Sequence, residues 1–202
     1  MGVYVFSWPV LKQYLVDDEA DPTSKNDFGK NIIPKMLKNG CKLMAYGFEG
    51  YWKDVGTIES LWEANMDLLS NPMPIDLHDK KWRIYAKNAG MAPHYIAKGA
   101  DVRDSLITEG CHIDGKVSHS VLSAGVTVEE GANVQDAVIM PGAIVRRGAM
   151  VRRAIIAENA VIGAGSIVGE DSGNIAVVGP NVTLAAGVTV AAGQQVDETT
   201  AL

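Results

Sequence analysis

The last 107 of the 202 residues contain no aromatic side chain; all 13 Phe, Trp and Tyr residues lie between Tyr4 and Tyr95. A core without rings must be narrow or built from small aliphatics, so the chain holds two architectures. No run approaches 18 uninterrupted apolar residues, and the N-terminus lacks a charged stretch followed by an apolar one. Both absences argue against a membrane span and a signal peptide. The net charge of −6 and the absence of a Lys/Arg cluster give no electrostatic footprint for nucleic acid or an anionic membrane. Two cysteines, Cys41 and Cys111, are too few for a disulfide or metal framework and fit a reducing, cytoplasmic compartment. Charged residues at 21% and hydrophobic residues at 47% leave an ordinary globular protein.

What the second half does have is a repeat. Cut at 17 residues, it reads SVLSAGVTVEEGANVQD from Ser120, AVIMPGAIVRRGAMVRR from Ala137 and AIIAENAVIGAGSIVGE from Ala154. Aliphatics recur every six residues: Leu122, Val128, Val134; Ile139, Val145, Val151; Ile156, Ile162, Val168. The pattern resumes at Val178, Leu184, Val190 and Val196. A six-residue period predicts a short strand plus a tight corner, three of which return the chain to its start, with every sixth side chain pointing inward. Gly125, Gly131, Asn133, Gly142, Gly148, Asn159 and Gly163 fit corners that need positive φ or close backbone approach. A β-sandwich is the competing reading, but its turns recur every 8 to 12 residues. The lines resemble the hexapeptide repeats of left-handed parallel β-helices, and the left hand is implied by that resemblance alone.

The first half alternates β-rich and helical segments, the α/β signature. Gly2–Ser7 (GVYVFS) and Cys41–Phe48 read as strands. Trp8–Val16, Asp27–Leu37 and Ile58–Leu69 read as helices, with Asp27 and Thr57 as N-caps and Lys38-Asn39-Gly40 as a stop. The expected domains are residues 1–70, a linker over 71–96 and a β-helix over 97–202. Tyr51–Gly56 (YWKDVG) concentrates the residues that look chemical. Asp54 falls at a strand end, the rim where open α/β sheets bind ligands. A carboxylate there can hold Mg²⁺ through substrate phosphates; a solvated turn residue beside a packed Trp52 is the alternative.

Three ordered blocks carry a resemblance: MGVYVF, DFGKNIIP (Asp27–Pro34) and GYWKDVGT (Gly50–Thr57), continued by WEANMDLL. Together with the hexapeptide region they resemble bacterial glucose-1-phosphate adenylyltransferase. The resemblance implies a partial, Rossmann-like nucleotidyltransferase domain followed by an all-β left-handed parallel β-helix. It implies formation of ADP-glucose from ATP and glucose 1-phosphate for glycogen synthesis. It makes Asp54 the catalytic Mg²⁺ ligand, and places Tyr4, Asp27, Phe28 and Trp52 against glucose 1-phosphate. The alternatives for these four are a helix cap for Asp27 and core packing for the rings. A homo-oligomer, a tetramer by family, or pairing with a complementary N-terminal chain is implied as well.

The family's loop of the form GGxGxRLxPLT, its second acidic Mg²⁺ ligand and its sugar-phosphate lysine have no counterpart in these residues. Met1 aligns with an internal family position, so the chain is expected to be a fragment, inactive alone. A non-catalytic regulatory or assembly subunit is the other class. A hexapeptide acyltransferase using His112 or His119 is a third, which leaves the first 95 residues unexplained. Asp27-Phe28-Gly29 also spells a kinase metal motif, but without the accompanying loops. Arg146, Arg147, Arg152 and Arg153 form two basic corners, solvated or able to receive an anionic effector.

Overall fold

In the computed structural model, which describes residues 2–86 and 89–199, the chain forms two compact units, Met1–Gly50 and Tyr51–Leu202. The first contains α1 (Trp8–Glu19), a π-helical turn (Phe28–Ile32) and α2 (Ile33–Lys38). Pro9 sits in the first turn of α1, where its missing N–H costs nothing. Asp27 caps the π turn, its Oδ1 accepting from the Lys30 N–H at 2.7 Å. Gly40 adopts φ 73° and closes α2 as expected of a C-terminal stop. The core of this unit is thin, with Ile32 and Met36 its buried apolar side chains among the described residues.

Gly2–Ser7 and Cys41–Phe48 do not form the expected strands: among the described residues neither belongs to a sheet. Their alternating, β-rich sequences leave Val5 98% and Tyr46 90% exposed. The physical reason is that a strand exists only through ladder bonds to a neighbour, and β propensity cannot supply one. α1 also continues three residues beyond the expected Val16, to Glu19.

The second unit contains α3 (Ile58–Asp67) and a parallel β-solenoid. Its strands are β1 (Tyr95–Ile96), β2 (Asp101–Arg103), β3 (Leu106–Ile107), β4 (His112–Ile113), β5 (Lys116–Ser118), β6 (Val121–Leu122), β7 (Thr127–Val128), β8 (Asn133–Gln135) and β9 (Val138–Ile139). They continue with β10 (Ile144–Val145), β11 (Met150–Arg152), β12 (Ala154–Ile156), β13 (Val161–Ile162), β14 (Ile167–Val168), β15 (Ala176–Val178), β16 (Thr189–Val190) and β17 (Gln195–Val196). Three parallel sheets result, each built from every third strand in order, apart from the last coil, where Thr183 joins the first sheet only by a bridge to Val161. This is the left-handed β-helix architecture of hexapeptide repeats.

Each aliphatic of the six-residue series is buried, from Leu122 to Val196. A second inward position, two residues earlier, takes small side chains such as Ala132, Ala143, Ala149 and Ala160, because the chain turns there. Ser120 occupies one such place, its hydroxyl donating to the Ser118 carbonyl at 2.8 Å. Register varies between coils. Val128 lies against Val145, 17 residues on, but Ile113 lies against Val128, only 15 on. The two-residue deficit falls at Gly115, where a Cβ would meet the carbonyl oxygens of Ala132 and Glu129 at 2.6 and 2.7 Å. Ile155 pairs with Val177, 22 residues on, and the extra length bulges out as residues 170–174.

Corners at Gly125, Gly131, Gly142, Gly148 and Asn159 have positive φ, as expected. Asn133 does not belong with them and instead begins β8. The third corner uses Asp104, His119, Asp136 and Arg153 at φ between 43° and 50°, which glycine counting overlooks. His119 Nδ1 lies 2.6 Å from Asp136 Oδ1 on the next coil.

Candidate functional site

The residues singled out by sequence divide between the two units. In the first, Tyr4 and Phe28 stack with ring centroids 5.7 Å apart and planes at 19°. Phe6 completes the cluster at 5.9 Å from Tyr4 and 5.8 Å from Phe28. Asp27 precedes Phe28 and one of its carboxylate oxygens is committed to the cap described above. Tyr4 keeps about half its surface in solvent. A carboxylate next to a partly exposed aromatic wall can accept sugar hydroxyls while a ring covers the sugar's C–H face.

In the second unit, Trp52 and Asp54 are both exposed. Tyr51 and Lys53 are half-buried. The Tyr51 hydroxyl donates to Asp67 Oδ2 at 2.9 Å, and Lys53 Nζ lies 2.9 Å from Glu63 and 3.5 Å from Asp67. Burial, then the bond to Asp67, pushes the Tyr51 phenol up, while the Glu63 carboxylate holds the Lys53 ammonium above its ordinary value. Just after Gly56, Thr57 and Ser60 form a reciprocal capping box that opens α3.

α3 packs on the outer face of the third sheet of the solenoid. Met66, Ile58, Leu61, Trp62 and Leu69 meet Val121, Val138, Ile155, Ile175 and Val177. The Trp62 indole N–H donates to the Asp136 carbonyl at 2.7 Å, and the Arg153 guanidinium lies 4.5 Å from its ring centroid.

No group of three or more His, Cys, Asp and Glu converges among the described residues. Asp54, a single exposed carboxylate, therefore suits Mg²⁺ that keeps its waters and substrate phosphates, and does not suit an all-protein cage. The basic corners are partnered. Arg146 reaches Glu129 at 2.6 Å, Arg147 reaches Glu130 at 3.3 Å, and Arg152 reaches Asp171 at 3.4 Å. Arg153 donates to the Gly173 carbonyl at 2.9 Å, so two of the four hold the 170–174 bulge. The His112 ring lies 4.9 Å from that of Tyr95 with the planes tilted by 38°, and its Nε2 lies 3.2 Å from Asp114. Among the described residues, no helix is long and apolar enough to cross a membrane.

Tyr51, Lys53, Glu63, Asp67 and Phe6 escaped the sequence reading as site residues. The one available signal was the four-residue spacing of Glu63 and Asp67, which puts both acids on one face of α3 behind the YWKDVG segment.

A hexapeptide-repeat β-helix is the class that the architecture of the second unit defines. Residues 1–71 match the nucleotidyl transferase family model, and residues 89–190 match the GlmU-like C-terminal hexapeptide model. The chain belongs to the GlmU-like C-terminal hexapeptide family. It is similar to proteins named glucose-1-phosphate adenylyltransferase from Bacillus mycoides (strain KBAB4) and Bacillus anthracis, each 59% identical over 132 residues. The aligned stretch is 65% of this chain and 35% of each relative, so the chain spans about a third of the length of the curated relatives it matches.

Proposed function

We propose that these 202 residues are part of a glucose-1-phosphate adenylyltransferase, supplying the sugar-phosphate side of its nucleotidyltransferase domain and its β-helix. The observation that carries the reading is the exposed Asp54 in a fixed segment, within a chain of which 132 residues align at 59% identity with proteins of that name. We assign residues 1–70 to the nucleotidyltransferase domain, 71–96 to a linker whose Tyr95 and Ile96 already pair as β1 with β4, and 97–202 to the β-helix. The unpaired segments at residues 2–7 and 41–48 add to the sheet of the complete domain.

In the reaction, a phosphate oxygen of glucose 1-phosphate attacks the α-phosphorus of ATP in line. The new P–O–P bond forms as the bond to the β-phosphate breaks, and pyrophosphate leaves with the electron pair. Mg²⁺, when bound, neutralises the charge that accumulates on the phosphate oxygens. Asp54 would hold that ion, as catalytic residue and metal ligand in one. Asp27 accepts sugar hydroxyls, while Tyr4, Phe28 and Trp52 wall the glucose. These side chains act through positioning, which requires both substrates in place together. The 202 residues alone contain no glycine-rich phosphate loop. They therefore make no ADP-glucose by themselves. The complete enzyme would work in the cytoplasm as a homo-oligomer, a tetramer or a pair with a complementary N-terminal chain.

The test mixes this chain with the N-terminal portion of a Bacillus relative and measures pyrophosphate release dependent on ATP and glucose 1-phosphate. Release that disappears in Asp54→Asn supports the reading. Release by the 202 residues alone sinks the inactivity claim. The second reading is a regulatory or assembly subunit. Soluble oligomers with no restored activity would select it.

A further inference from the structure

Asp54 itself has no bonded neighbour among the described residues, yet it sits between two fixed points. On one side Lys53 is ion-paired to Glu63 and Asp67, and Tyr51 is hydrogen-bonded to the same Asp67. On the other, Thr57 is closed into the capping box with Ser60. Only Asp54, Val55 and Gly56 span the gap. A Cβ built on Gly56 would lie 3.5 Å from Asp54 Oδ1, so glycine leaves room for the carboxylate beside the turn. Both fixed points are anchored to α3 residues, and α3 is bonded to the solenoid through Trp62, Asp136 and Arg153.

We propose that Lys53, with Tyr51, Glu63 and Asp67, forms a bracket that positions the Asp54 carboxylate for its cation and references it to the β-helix. These four are positioning residues, and the proposal rests on the reading of Asp54 as a metal ligand. The bracket has an electrostatic side as well. Lys53 engages Glu63 and Asp67, so two of the three acids of α3 are occupied by a cation of the protein's own, the third, Glu59, lying in the first turn of the helix. Asp54 is left as the unpaired carboxylate of the segment. A divalent ion that uses one or two protein carboxylates binds where such a group is both available and held still.

The experiment uses the 202-residue chain with Mn²⁺ alone as probe, read by amide NMR. In the unaltered chain Mn²⁺ broadens the amides of residues 53–57, and Asp54→Asn abolishes the effect. In Lys53→Met the order parameters of residues 52–56 fall from about 0.85 towards 0.6, while those of α3 stay in the rigid range. The same variant needs about threefold more Mn²⁺ for equal broadening, a small change because the Asp54 carboxylate is intact and only its placement is lost. Lys53→Arg restores both readouts. Unchanged order and broadening in Lys53→Met overturn the bracket, as does loosening of α3 by the same amount, which would mark a merely structural role. Broadening that survives Asp54→Asn defeats the metal reading, while the order parameters still decide the bracket.

Discussion

Residues 2–50 and the solenoid are both rich in β-forming sequence, yet only the solenoid builds sheets from it. GVYVFS and CKLMAYGF alternate more convincingly than Thr127–Val128, a strand of two residues. Thr127–Val128 is flanked by coils on both sides and pairs with His112–Ile113 and Ile144–Val145. The longer segments have no such neighbour among the described residues. A solenoid supplies each strand's partner from the next coil of the same chain, so it completes its hydrogen bonding locally. A strand of an α/β sheet depends on distant chain for its partners.

The largest expected difference between the two regions is in hydrogen exchange. Amides of the inner coils, β7 to β12, open only with the whole solenoid, whereas residues 2–7 and 42–48 donate no backbone hydrogen bond among the described residues. Protection should differ by about a thousandfold or more, the span between global and fraying openings. Equal protection in both would break the comparison and reveal a partner for the exposed segments.

Next in size is the response to deleting a side chain. Ile139 is fully buried in the solenoid, so Ile139→Ala should cost about 2–5 kcal/mol in chemical denaturation. Val5 is almost wholly exposed, and Val5→Ala should stay within about 0.5 kcal/mol. A cost at Val5 above that range would show that its surroundings are filled in solution.

A smaller effect belongs to the junction of α3 with the third sheet. Trp62→Phe keeps the ring but loses the donor to the Asp136 carbonyl, for about 1 kcal/mol. Arg153→Ala removes the cation over the same indole, worth about 0.5–1 kcal/mol. Because both touch Trp62, the double variant should cost less than the two singles combined. Additivity would show that the Arg153 contribution lies in its bond to Gly173 instead.

These regions also differed in how legible they were. Six-residue spacing located one inward series from Leu122 to Val196, because in a solenoid the core is written into the nearest coil, but not Val126 and Val182 two residues ahead of it. What spacing missed were changes of coil length at Gly115 and residues 170–174, and the third corner, where His119 and Arg153 adopt a conformation usually read from glycine. In the first half the helices and the caps at Asp27 and Thr57 were legible, being local, and the strands failed, being tertiary. The candidate site follows the same division. Motif residues such as Asp54 and Trp52 stood out, whereas Glu63 and Asp67 gain meaning only once α3 folds back on Tyr51 and Lys53.

The smallest effect tests whether the charged corners of the solenoid contribute to its stability at all. Glu129 accepts from the Arg146 guanidinium at 2.6 Å and from the Arg147 N–H at 2.8 Å. The Arg146 bond first, then the Arg147 N–H, holds its carboxyl below the ordinary range in the folded protein. A depressed folded value means that the unfolded chain takes up the proton first on acidification. The contribution is therefore complete above the unfolded value of about 4.3 and is lost as pH falls through the lower folded value. Glu129→Gln should flatten that part of the acid-stability profile and leave stability at neutral pH lower by at most about 0.5 kcal/mol, the scale of a partly exposed pair. Glu130 pairs with Arg147 at 3.3 Å with both side chains mostly in water, so Glu130→Gln should change neither. If the two substitutions flatten the profile equally, the backbone N–H accounts for nothing, and simple surface charge explains the acid limb.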